Sequence, residues 1–113
     1  MKKILNYAAI ALILLLGAVH VILTPLFYKT FDLSTLWFAG TGLAFVFLGI
    51  INISSIRSSD KTTRILCILC NAIAVIYGIL VVIKLCKPHA YISLADLVLL
   101  LILSIIDLGP AKK

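Results

Sequence analysis

The sequence predicts an all-α integral membrane protein, a single bundle of four antiparallel transmembrane helices, and three observations predict it. Of the 113 residues 64% are apolar and only 12% are charged, whereas a soluble domain is roughly half apolar and about a quarter charged. The apolar residues fall into four runs, each close to the ~20 residues that carry a helix across ~30 Å of hydrocarbon. Stretches such as Leu97 to Ile106 also lack the recurring polar outer face of a water-soluble bundle helix. In lipid the backbone must bond within its own segment, which makes the helix the default spanning structure. A disordered tail, a secreted disulfide scaffold and an ordinary soluble enzyme are excluded by the same composition.

The first span runs from about Ile4 to Leu23. Met1-Lys2-Lys3 before an apolar run also opens signal peptides, but this run is about 20 residues long and Gly17-Ala18-Val19-His20 is a poor cleavage site. It reads as a true span, ended by Pro25. The second covers about Ser34 to Ile53, the third about Ile65 to Ile83, and the fourth about Tyr91 to Leu108, with Gly109-Pro110 closing it. Pro88 blocks continuation of the third span into the fourth. Connections of about ten, eleven and seven residues favour antiparallel neighbours in sequence order. With no linker or internal repeat, residues 1–113 form one domain. Tyr28, Trp37 and Tyr91 fall where an outer aromatic belt belongs, and Tyr7 near the inner interface.

Charge sets the expected orientation. Lys2, Lys3, Arg57, Lys61, Arg64, Lys112 and Lys113 fall on one side of the spans, and Lys29, Lys84 and Lys87 on the other. The richer side is expected in the cytoplasm, placing both termini and the Ser54–Thr63 connection inside a bacterial plasma membrane. The net charge of +6 is then a topology signal with anionic lipid as its partner, and nucleic acid is not expected.

Helices in lipid associate through close packing and interhelical hydrogen bonds. Each span carries one suitable stripe: Asn6, Gly17, His20 and Thr24; Thr35, Ala39, Gly42 and Gly49; Cys67, Asn71, Ala74 and Gly78; Ser93, Asp96 and Asp107. The small residues read as packing, with Gly42 and Gly49 also available to a second copy or a larger complex. His20 and Asp96 read differently, because an ionisable group inside a span is a functional candidate by default. His20 lies roughly 6 Å and Asp96 roughly 8 Å below the outer ends of their helices at 1.5 Å per residue. Facing inward, the two share a level, with Thr24, Tyr28, Trp37, Thr41, Lys84 and Tyr91 around or just above it. These eight residues make the expected ligand pocket, a few convergent polar groups in an apolar wall; the alternative is a structural His20–Asp96 or Lys84–Asp96 bond that pins two helices, with Lys84 snorkelling outward. At the inner end Asp107 is expected to pair with Arg64, Arg57 or Lys112, and Asn71 to need an interhelical partner.

Cys67-Ile68-Leu69-Cys70 is a C-x-x-C in a four-span chain, a pattern similar to quinone-linked thiol oxidases. The charge count puts it near the cytoplasm, away from an oxidising face, and buried cysteines also serve as small hydrophobes. His20 and His89 are too few for a metal or haem site, with His89 read as a solvated loop residue. No nucleophile elbow, zinc-protease motif or phosphate-binding glycine loop is present, so no cofactor is expected and classical enzymology is disfavoured, with an intramembrane isomerase using one His and one Asp left open.

Size and span number are similar to the small multidrug resistance transporters, but the chain contains no Glu to match that family's first-helix carboxylate. Gly17-Ala18-Val19-His20 through Thr24-Pro25, Leu36-Trp37-Phe38-Ala39-Gly40 and Leu48-Gly49 resemble the DoxX-like four-helix membrane proteins over the first half of the chain. That resemblance implies the four-helix fold and, through some of its members, the handling of hydrophobic molecules such as sterols. The expected function is a small binding or accessory protein holding a hydrophobic or lipid-like molecule near His20 and Asp96. The alternatives are a proton-coupled transporter using Asp96 and a structural subunit.

Overall fold

The computed structural model describes residues 2–109 and consists, over them, of four helices: α1 (Lys2–Phe27), α2 (Leu33–Arg57), α3 (Lys61–Leu85) and α4 (Pro88–Asp107). All four are long and apolar enough to cross a membrane. Lys112 and Lys113, which contribute to the charge bias, lie outside the described residues. The bundle is 56 Å long and 23 Å across, and a 25-residue helix contributes about 38 Å of that length.

Local chemistry sets each helix end. Asp32 caps α2: its Oδ1 accepts from the Thr35 backbone N–H at 3.0 Å, and Thr35 Oγ1 accepts from the Asp32 N–H, closing a capping box. Asp60 caps α3 in the same way through the Thr63 N–H at 2.9 Å. Both carboxyls are held below the ordinary carboxylate range, Asp32 chiefly by the Thr35 backbone and Asp60 chiefly by the Thr63 hydroxyl. Cys86 ends α3 in the left-handed region at φ 48, and Pro88 starts α4 at a position where no backbone donor is needed.

Two boundaries depart from expectation. Pro25 does not end the first helix; α1 continues to Phe27. A proline in the last turn removes only the bond to Val21, and Tyr28 N–H still reaches Thr24 O at 3.0 Å. The connections are also far shorter than the apolar runs imply, comprising residues 28–32, 58–60 and 86–87. Polar residues such as Lys61 and Arg57 extend the helices past the apolar spans.

The packing is inverted relative to a soluble protein. Ile73, Ile76 and Ile83 of α3 face outward, as do many Leu and Ile elsewhere, while Asn52, Asn71, Asp96 and Ser104 are buried. A modest apolar core forms around Ile10, Ile13, Phe45, Leu48, Leu97 and Leu100. The bundle is fastened chiefly as two tight pairs, α1 with α2 and α3 with α4, whereas α2 meets α3 over a narrower surface.

Glycine makes the α1–α2 contact close. A Cβ on Gly17 would stand 2.6 Å from Gly42 O, and one on Gly42 would stand 2.7 Å from His20 Cβ. Gly49 is filled by Leu14. Gly42 and Gly49 thus pack against α1 of the same chain.

A buried amide pair joins the two halves. Asn52 Nδ2 donates to Asn71 Oδ1 at 2.9 Å, and Asn71 Nδ2 returns a bond to Asn52 Oδ1 at 3.1 Å. Asn71 Nδ2 also lies 3.2 Å from Ser104 Oγ and 3.3 Å from Leu100 O, so one side chain links α2, α3 and α4. This is the interhelical partner that Asn71 requires.

Candidate functional site

At the end of the bundle bearing the 28–32 and 86–87 connections, α2, α3 and α4 line a half-open cavity of about 320 Å³. That is within the range of small-molecule sites. Its wall is mainly aromatic and aliphatic, and the sequence explains the arrangement. Trp37, Thr41 and Phe45 recur at four-residue spacing on α2, and Tyr77, Val81 and Leu85 do so on α3, so each trio forms one face. From α4 come His89, Ser93 and Leu97, again four apart.

His20 reaches the cavity from α1. Its ring lies 4.7 Å from the Phe38 ring and meets Phe45 edge-on at 5.8 Å, favourable aromatic geometries. Nδ1 donates to Leu16 O at 2.8 Å. A carbonyl can only accept, so this bond makes Nδ1 the donor, and in the neutral tautomer that carries its proton there Nε2 is an acceptor. Tyr28 also lines the cavity, beside Phe38, with ring centroids 5.3 Å apart.

The Thr41 hydroxyl donates to Trp37 O at 2.9 Å, which leaves its oxygen to accept from the Tyr77 hydroxyl at 3.0 Å. This bond bridges α2 and α3 along the cavity wall.

Of the eight residues expected at the site, the structure brings together His20, Tyr28, Trp37 and Thr41. Thr24 is buried, but its hydroxyl turns back to His20 O at 2.7 Å. Lys84 and Tyr91 are exposed and line no part of the cavity.

Asp96 is buried, yet it flanks the cavity-lining Ser93 and Leu97 instead of lining the cavity itself. The expected facing of His20 and Asp96 does not produce a contact. His20 is held by Leu16 and Phe38, and neither Asp96 oxygen has a hydrogen-bond partner among the described residues. The rotation explains the separation: Ser93 and Leu97 share a cavity-facing row, and Asp96 stands one helical step off it.

Sequence reasoning overlooks Tyr77, Phe38, Phe45 and His89. Tyr77 and Phe45 belong to the four-residue ladders of Trp37 and Val81, a signal hidden because aromatic and aliphatic residues occur on every face of these helices. His89 appears as a loop residue only if α4 starts at Tyr91. With Pro88 at the first helical position it becomes the first rung of the His89-Ser93-Leu97 row.

The inner-end expectation also needs correcting. Asp107 pairs with Lys2 at 2.7 Å and accepts from Asn6 Nδ2 at 3.1 Å. Arg64 reaches only the Asp107 backbone carbonyl, because its guanidinium is drawn toward Ser58 O. The expected alternative partner Lys112 lies outside the described residues.

Cys67 is buried and donates to Asn52 Oδ1 at 3.4 Å; Cys70 is half-buried, and all three cysteines are free thiols. Among the described residues no three of His, Cys and Asp converge as a metal site requires. Compared with protein-family models, curated proteins and solved structures, the chain matches none.

Proposed function

We propose that the chain is a small membrane-embedded binding protein that holds a hydrophobic or lipid-like molecule in the aromatic cavity between α2, α3 and α4. The carrying observation is the cavity itself: a mainly apolar volume of about 320 Å³ with polar groups on its wall that include His20, Ser34, Thr41, Tyr77, His89 and Ser93. Such a wall binds through apolar area, and the few polar groups orient the occupant. His20 Nε2 offers an acceptor for a hydroxyl, as on a long-chain alcohol or a sterol.

The helices alternate in direction. Gly17 meets Gly42 while Leu14 meets Gly49, and Gly78 meets Leu94 while Asn71 meets Ser104. Both termini face the cytoplasm of a bacterial plasma membrane, a reading supported by seven Lys/Arg on that side against three on the other.

Trp37 is the single tryptophan and lines the cavity, which supplies the test. With the protein in phosphatidylcholine nanodiscs, a brominated long-chain alcohol is titrated and Trp37 fluorescence recorded. Saturable quenching is expected, and Val81→Phe, which fills the cavity, abolishes the saturable part. Linear quenching identical in both proteins would remove the basis for the reading.

One observation favours a second reading, a proton-coupled transporter: Asp96 is a buried carboxyl with both oxygens unpartnered among the described residues. Ionisable groups within spans mark ion and proton routes. In this case occupancy of the cavity depends on pH in the wild type and not in Asp96→Asn. Occupancy unaffected by pH in both proteins rejects it.

A further inference from the structure

At the other end of the bundle, the start of α1, the turn between α2 and α3 and the end of α4 form a cup of about 760 Å³. We propose that this cup binds a phosphate group of the kind carried by an anionic lipid headgroup. Its cations are Lys2, Lys3 and Arg64, and the one acid lining it among the described residues is Asp107.

That carboxylate is already committed. Lys2 Nζ lies 2.7 Å from Oδ1, and Asn6 Nδ2 donates to Oδ2 at 3.1 Å. Arg64 is held by neutral partners only: Nε and Nη2 donate to Ser58 O at 3.1 and 2.9 Å, and Nη1 donates to Asp107 O at 2.9 Å. These bonds fix the guanidinium plane without balancing its charge, and they leave two of its five N–H groups free of a partner among the described residues. Lys3 has no ion pair among the described residues. Three cations against one carboxylate leave a net excess of two positive charges lining the cup.

A guanidinium fork with spare donors and an ammonium lining one cup suit a phosphate group, and Ser59 borders the same cup. Ile56 and Ile106 also border the cup. An acyl chain attached to the phosphate therefore has apolar surface to lie on, which favours a lipid over free phosphate. The cup also occupies the membrane-surface level where basic residues attract anionic lipid; the lipid assignment rests on the membrane-spanning reading of the helices.

The test uses the full chain in neutral-detergent micelles, titrated with dioleoyl phosphatidic acid and followed by native mass spectrometry. Dioleoyl phosphatidylcholine and inorganic phosphate serve as the comparison arms. Saturable binding of phosphatidic acid is expected, with affinity falling about fivefold for Lys3→Gln and for Arg64→Gln, and unchanged for Lys87→Gln at the opposite end. Arg64→Gln also removes scaffold bonds, so Lys3→Gln is the deciding variant.

Displacement of the lipid by millimolar phosphate would show that the phosphate group alone fills the cup. Binding that resists displacement would show that the acyl chain contributes. Equal binding of phosphatidylcholine, wild-type affinity in Lys3→Gln, or an equal loss in Lys87→Gln would each overturn the proposal. The aromatic cavity is read separately through Trp37, so either site can fail without the other.

Discussion

Asn71→Ala offers the sharpest test of what joins the halves of the bundle. The side chain is fully buried and makes a reciprocal pair of bonds with Asn52 and a further one with Ser104. Interhelical side-chain bonds in membranes average about 0.6 kcal/mol, so these three contribute about 2 kcal/mol. Truncation leaves the Asn52 amide its remaining partners, Leu48 O at 2.8 Å and the Cys67 thiol at 3.4 Å, so no unsatisfied-group penalty adds to the loss. Asn71→Ala is therefore expected to destabilise the protein by about 2 kcal/mol.

The assay is reversible unfolding from mild-detergent micelles by added dodecyl sulfate, followed by circular dichroism. A cycle with Asn52→Ala isolates the pair. Its two bonds predict a coupling of about 1 kcal/mol, with the double variant less destabilised than the sum of the singles. Additive single effects would refute the claim that these amides act on each other.

Two further predictions concern packing and the turns. Gly42→Ala forces a methyl into His20 Cβ and Gly17 O and should lower stability by about 2 kcal/mol. Gly40→Ala on the same helix meets nothing within 4 Å and should stay within about 0.5 kcal/mol of wild type; the same unfolding assay measures both. Asp32 and Asp60 are held below their ordinary value of 3.8 by their caps, so their contribution is complete above that value and is lost as the pH falls beneath it. Thermal unfolding followed from pH 6 downward should show this acid loss, flattened in Asp60→Asn.

The four helices are legible because composition and run length leave no other structure for such a chain in lipid. Asn71 is legible for a related reason, since a lone amide at mid-span demands a partner. Helix ends are harder to read, because Lys61, Arg57 and His89 are helical without being apolar, and hydropathy alone stops short of them. Half of the site is hidden by rotation. Depth along a helix can be counted from residue numbers, and it places His20 and Asp96 at similar levels. Which way each turns depends on neighbouring rows, and the Ser93–Leu97 row takes the cavity and leaves Asp96 beside it. Asp107 shows a third difficulty: the chain end supplies Lys2 as its partner, and no local pattern links residues separated by nearly the whole sequence.

The fastenings between α2 and α3 are uneven along their length. Near the charged end the Asn52–Asn71 amides clasp them, whereas beside the cavity the one side-chain bond between them among the described residues is the Thr41–Tyr77 hydroxyl contact. A pair of bars riveted at one end and latched at the other parts at the latch when strained, so the least work spreads these two helices at the aromatic end. Under the proposed membrane-embedded binding function, such a gap would face the lipid tails, and an occupant dissolved among them would enter without first crossing water.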